Sequence, residues 1–235
     1  MPRFDILSRM RGYAIRMWVM LFAALFALSR AEGVTMARMT GDGKYAYVPL
    51  ADGFDYPVGK PDAAGYYKSR GLRLKKPRHL GEDWNGVKGG NSDLGDPVYT
   101  IGHGLVTYAA DARGAWGKVV IVRHAFRDPG TKKILCCQTL YAHLDEIKVK
   151  TGQLVRRGDM VGTIGTNRGM YPAHLHAELH YNIYVNTGHQ GVEKNRINYG
   201  QLEGFIKRFR RLPAETRQVK LPIGCFLPYK GTTGL

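Results

Sequence analysis

Cysteine is scarce in this chain: three stand among 235 residues, and no Cys-x-x-Cys pair occurs. That argues against a thiolate zinc knuckle as the organising element. Cys136 and Cys137 are adjacent, a poor geometry for a bond between them, so one can pair with Cys225 only where the fold brings them together. Acidic residues are also few, 19 against 35 Lys and Arg, for a formal net charge of +16. No long charge-patterned helical repeat appears, which argues against an all-helical fold. The apolar run MWVMLFAALFAL, residues 17–28, is short for a membrane span. No Ser–His–Asp order and no cysteine-nucleophile context competes with the histidines discussed below.

The chain does have 44% hydrophobic residues, enough for one sizeable core with a small appendage. Thirty glycines and eleven prolines imply many turns. Residues 1–31 combine a basic start, the apolar run and Ser29 and Ala31 ahead of Glu32, the three-part pattern of a secretory signal. The alternative is an uncleaved anchor formed by residues 17–28. Both place the body outside a bacterial inner membrane, in the periplasm or cell envelope. The body keeps a charge near +12, which favours an anionic envelope surface or polymer; nucleic acid fits the charge but not the export signal.

Residues 32–75 read as an extended arm with short strands, packed beside the core or walling a cleft. From Val98 the rhythm is that of strands: VYTIGHGLVTYAA with a glycine-marked bend, GKVVIVRHAF, ILCCQTLYAHL, then two short strands with turns at Gly152 and Gly158, then HLHAELHYNIYV. A mainly antiparallel β domain over 76–185 follows. Residues 186–235 form an extension in which LEGFIKRFRRL is a short basic helix with Phe205, Ile206 and Phe209 on one side. Packing on the sheet is the ordinary role of such a helix, and lying on a membrane the alternative.

The segment PAHLHAELHYN puts His174, His176, Glu178 and His180 at alternate positions. On a strand they share one face, with Leu175, Ala177, Leu179 and Tyr181 on the other. A catalytic zinc site needs about three protein donors and one open position. His176 is one candidate. His79 and Asp83, four apart in RHLGEDW with Gly81 between them, are two more. His143, near the end of LYAHL, and His174 are placed to flank the same point, where one imidazole takes a proton and another donates to a developing oxyanion. Glu178 is either a partner for a ligand imidazole or a solvated residue. His180 reads as peripheral, His103 and His124 as structural or surface residues, and Tyr171 as a residue of the cleft mouth or the surface.

HLGED and HLH match the HxGxD and HxH motifs of the lysostaphin-type, or LytM-domain, zinc metallopeptidases of family M23, and YAHL is similar to the strand motif before that family's second active-site histidine. GDPVYTIGHGLVTYAA and VKTGQLVRRGDMVGTIGTNRG resemble its sheet-opening stretch and its glycine turn series. The resemblance spans about residues 76–185, with the motifs in the family's order. It implies a two-layer antiparallel sheet of the LytM type, related to duplicated hybrid motifs, with the cleft across the larger sheet. It further implies one Zn2+ held by His79, Asp83 and His176, with His143 and His174 as the catalytic pair. The implied activity is endopeptidase cleavage of peptidoglycan stem peptides or cross-bridges. The chain departs from the family pattern at Ala173, at TNRGMYPA, at Trp84 and at His180, which bears on substrate choice. The alternatives are a latent module that activates another wall hydrolase, with residues 32–75 over the cleft; an amidase or D,D-carboxypeptidase; and a non-enzymatic basic envelope-binding protein, and the expected partners are peptidoglycan peptides, an anionic envelope surface and an envelope regulatory protein.

Overall fold

The computed structural model describes residues 34–181 and 199–223. The leader with residues 17–28, the segment 182–198 containing His189, and Cys225 lie outside the described residues. Twelve strands are defined among those described: β1 (Tyr45–Pro49), β2 (Tyr66–Arg70), β3 (Glu82–Gly86), β4 (Pro97–Tyr99), β5 (Gly104–Asp111), β6 (Lys118–Arg127), β7 (Ile134–Ile147), β8 (Leu154–Val155), β9 (Met160–Ile164), β10 (Leu175–His180), β11 (Tyr199–Gly200) and β12 (Gln218–Pro222). The main sheet runs β2-β3-β10-β7-β6-β5-β8, with β11 beside β10 and β9 pairing both β4 and β7. β1 and β12 form a separate two-stranded sheet. Every pairing is antiparallel.

The alternation in the sequence becomes two faces. Val120 and Val122 of β6, Tyr141 of β7 and Leu175, Ala177 and Leu179 of β10 enter the main core. Val119, Ile121, Leu140 and Ala142 cluster on the opposite face. The β1–β12 sheet covers one end of that second face, where Val48, Val219 and Leu221 meet Ala125 and Cys136. The other end carries the chemistry described below. The helix α1 (Leu202–Arg208) buries Leu202, Phe205 and Ile206. Phe205 lies 4.8 Å, ring centre to ring centre, from Phe54 and 5.5 Å from Phe126. Burying each such side chain contributes about 1.5–3 kcal/mol, which accounts for the helix packing on the protein. No helix among the described residues is long and apolar enough to cross a membrane.

β7 is the central strand, and it changes partners along its length. Its first part pairs β6 and β10, while Leu144 and Ile147 pair β9. Between Lys118 and Val120 of β6 the register slips, because β7 carries one extra residue there. His143 occupies this bulge with φ of 60°, a left-handed conformation uncommon for a residue with a Cβ. Bulges of this kind re-aim a side chain. β7 also buries Cys136 and Cys137 as free thiols. Burial pushes the Cys136 thiol up to about 12 and Cys137 well above its ordinary value.

Candidate metal centre

β3 and β10 are neighbours, with His176 directly opposite Asp83. His79 lies four residues before Asp83, ahead of β3, and is tied by backbone bonds to Arg73. The strands therefore bring three side chains together from separate parts of the chain. Asp83 Oδ1 lies 2.9 Å from His79 Nε2 and 2.8 Å from His176 Nδ1, and the two nitrogens are 3.2 Å apart. Donors on a tetrahedral zinc stand about 3.3 Å from one another, given bonds of about 2.0–2.1 Å. All three residues are buried, and their donor atoms form a set that fits one metal ion.

The outer nitrogens decide which lone pairs face inward. His79 Nδ1–H donates to Gly71 O at 2.8 Å, so Nε2 is the free donor. His176 Nε2–H donates to Glu178 Oε1 at 3.2 Å, so Nδ1 is free. His174 Nδ1–H donates to Pro172 O at 2.8 Å, and its Nε2 stands 3.7 Å from Asp83 Oδ1. His143 Nδ1 faces Trp116 O at 3.3 Å. His79, His174 and His176 thus each anchor one nitrogen outside the cluster and turn the other toward Asp83. His143 lies 5.0 Å from His174 and 5.5 Å from His176 between ring centres. Of the five residues expected from the sequence, all five are brought together.

Electrostatics agree with this geometry. Burial pushes the Asp83 carboxyl up, but the adjoining His176 and His79 imidazoles outweigh it and hold the group well below the usual carboxylate range. Burial also disfavours charge on His176, yet its bonds to Asp83 and Glu178 lift it to about 9. The field that retains a proton there retains a cation in its place, since both compete for one lone pair. His143 is pushed down to about 3 by burial and by repulsion from His176 and His174, which keeps it neutral at physiological pH.

Of the two readings of Glu178 the partner one holds, while several other contacts escaped the sequence. Glu178 is fully buried and bonds both His176 and His180. His180, expected at the periphery, is buried as well. Trp116 packs its ring edge-on 5.6 Å from His176 and holds His143 by its carbonyl; Tyr171 packs 4.8 Å from His143. A carbonyl such as that of Gly71 has no sequence signature. A cavity of about 570 Å³ near α1, lined in part by Leu72, Cys136, Tyr199 and Phe205, includes none of the five centre residues. The donor set, not that volume, locates the chemistry.

Gly81 explains how His79 and Asp83 reach the same point. A Cβ there would lie 2.4 Å from the Ala177 carbonyl oxygen and 2.9 Å from Glu178 Cγ. The obstacle is mostly backbone of β10, so it does not yield cheaply. Gly81→Ala is expected to cost about 3 kcal/mol, a drop of roughly 6–12 °C in thermal midpoint. Zinc affinity should fall with it, because β3 must shift against β10. Calorimetry and zinc titration of the variant check both effects, and an unchanged midpoint would contradict the close approach.

Residues 79–191 of the chain match the sequence profile of peptidase family M23. The chain is 34% identical over 87 residues to the cell division protein DipM of Caulobacter vibrioides, covering 37% of this chain and 13% of that protein. It is 36% identical over 86 residues to the peptidoglycan DD-endopeptidase ShyA of Vibrio cholerae, covering 37% of this chain and 18% of that one. The chain therefore spans less than a fifth of the length of these two relatives. Among solved structures it is similar to a zinc-containing peptidase from Vibrio cholerae (27% identity, TM-score 0.41, 63% of this chain and 44% of the other). It is also similar to the catalytic domain of lysostaphin from Staphylococcus simulans (20% identity, TM-score 0.45, 61% of this chain and 94% of the other).

Proposed function

We propose that this protein is an exported zinc metalloendopeptidase that hydrolyses peptide bonds in peptidoglycan, in stem peptides or cross-bridges. The observation that carries this reading is the convergence of His79 Nε2, His176 Nδ1 and Asp83 Oδ1, with His174 Nε2 3.7 Å from that oxygen and the His143 ring beside them. In it, His79, Asp83 and His176 would hold one Zn2+, with His143 and His174 beside that donor set. A zinc ion held by such a set supplies Lewis acidity, polarising a carbonyl and making water a stronger acid. His143, neutral and held by Trp116, accepts a proton from the attacking water and returns it to the departing amine. His174, anchored to Pro172, is placed to donate to the oxygen of the tetrahedral intermediate once it carries a proton.

Two features support the substrate class. Arg70, Arg73, Lys75 and Lys76, just before His79, are exposed, and they give the approach to the centre a positive field suited to an anionic wall polymer. The described arm builds β2 at the edge of β3 and presents Gly71 O to His79. That is a supporting role for the arm, and it favours an active enzyme over a latent activating module. The N-terminal pattern supports export.

Purified, zinc-loaded protein incubated with isolated peptidoglycan tests the proposal by mass analysis of the released fragments. New peptide amines and carboxyls are expected, lost on chelation and restored by zinc. Cleavage only between glycan and peptide would make it an amidase, and no cleavage by zinc-loaded protein would refute the hydrolase reading.

A further inference from the structure

Behind the centre lies a line of buried polar groups that the proposed chemistry does not use. The sheet register places His180 of β10 opposite Gln138 of β7, and Gln138 opposite Arg123 of β6. These three residues span three adjacent strands in one row. All three are buried, with Gln138 and Arg123 at zero exposure. The row sits between the β1–β12 cover and the donor cluster, on the same face of the sheet.

The hydrogen bonds have a consistent direction. Arg123 donates through Nη1 to the Pro222 carbonyl of β12 and through Nη2 to Gln138 Oε1, the latter at 3.3 Å. That fixes the amide, so Gln138 Nε2 donates to His180 Nδ1 at 3.1 Å. His180 must then carry its proton on Nε2, which donates to Glu178 Oε2 at 2.5 Å. The other oxygen of Glu178 receives the Nε2–H of His176, leaving Nδ1 as the lone pair turned toward Asp83 and His79.

We propose that His180, Gln138 and Arg123 form a buried positioning row that orients Glu178 and so holds His176 as an Nδ1 ligand of the metal. The row rests on the zinc reading of the centre. None of its three members touches the reacting atoms. Its contribution is to restrict the carboxylate, and through it the imidazole ring, to one orientation. Partners that orient a ligand in this way typically change metal affinity about 10–100-fold.

The test is zinc affinity, measured by competition with a chromophoric chelator, alongside the thermal midpoint of the metal-free protein. His180→Phe keeps a ring and removes both nitrogens, and it is expected to weaken zinc binding about 10-fold or more. His180→Gln retains an N–H at that position and should lose markedly less. A loss of packing alone would lower the midpoint without separating the two variants in zinc affinity. Folded H180F with wild-type affinity, or equal losses in H180F and H180Q, would overturn the row. If H180F does not fold, Gln138→Met, which removes the donor to His180, is read by the same criterion against wild type. Failure of the wild-type protein itself to bind zinc would instead sink the metal reading, and the row with it.

Discussion

His176→Ala should leave a folded protein that retains no zinc and cleaves no peptidoglycan. Metal analysis of the purified variant is expected to fall from about one zinc per chain to near none. The loss should exceed the roughly 100-fold that an outer partner can cost, because one of three ligands is gone and two donors do not hold a catalytic zinc. Stability should suffer less. Glu178 loses its bond to His176 but keeps the one from His180, so the cost is about 1–3 kcal/mol. Circular dichroism separates the two effects. A folded H176A protein with one bound zinc and undiminished hydrolysis would refute the ligand assignment.

His143→Asn should give the complementary result: zinc kept and turnover lost. The backbone at position 143 is left-handed, and asparagine tolerates that conformation better than most residues. The substitution therefore removes the imidazole with little strain at the bulge. General acid–base catalysis contributes about 10²–10⁴-fold, so kcat should fall by that amount with KM little changed. Zinc content should match wild type, because His143 is not among the three converging donors. Full turnover in H143N would remove His143 from the mechanism, whereas lost zinc would make it structural.

Much of this centre was legible in the sequence because strands convert spacing into direction. Alternate residues of PAHLHAELHYN must share a face, and His174, His176, Glu178 and His180 do. The side chains of Leu175, Ala177 and Leu179 enter the core as that alternation requires. The convergence of His79 and Asp83 with His176 depends on β3 lying beside β10, a pairing that spacing alone does not reveal; there the family resemblance supplied the link. The left-handed turn at His143 left no trace, since LYAHLDEI reads as an unbroken strand. Its bulge arises from a register slip against β6. The role of His180 was hidden for a similar reason. It lies beyond the family motif, and its burial depends on partners across two strands, Gln138 and Arg123, that no local pattern connects to it. The carbonyls of Gly71, Trp116 and Pro172 belong to the backbone, so side-chain chemistry could not announce them.

The two thiols of β7 have a consequence for a protein read as entering an oxidising compartment. Burial raises their proton affinity and leaves little of either exposed, so little thiolate meets an oxidant or alkylating reagent, although both residues border the cavity beside α1. Modification at Cys136 or Cys137 therefore reports on how α1 and its neighbours cover the strand that holds Gln138 and His143. The chain carries its own reporter of how that strand is covered.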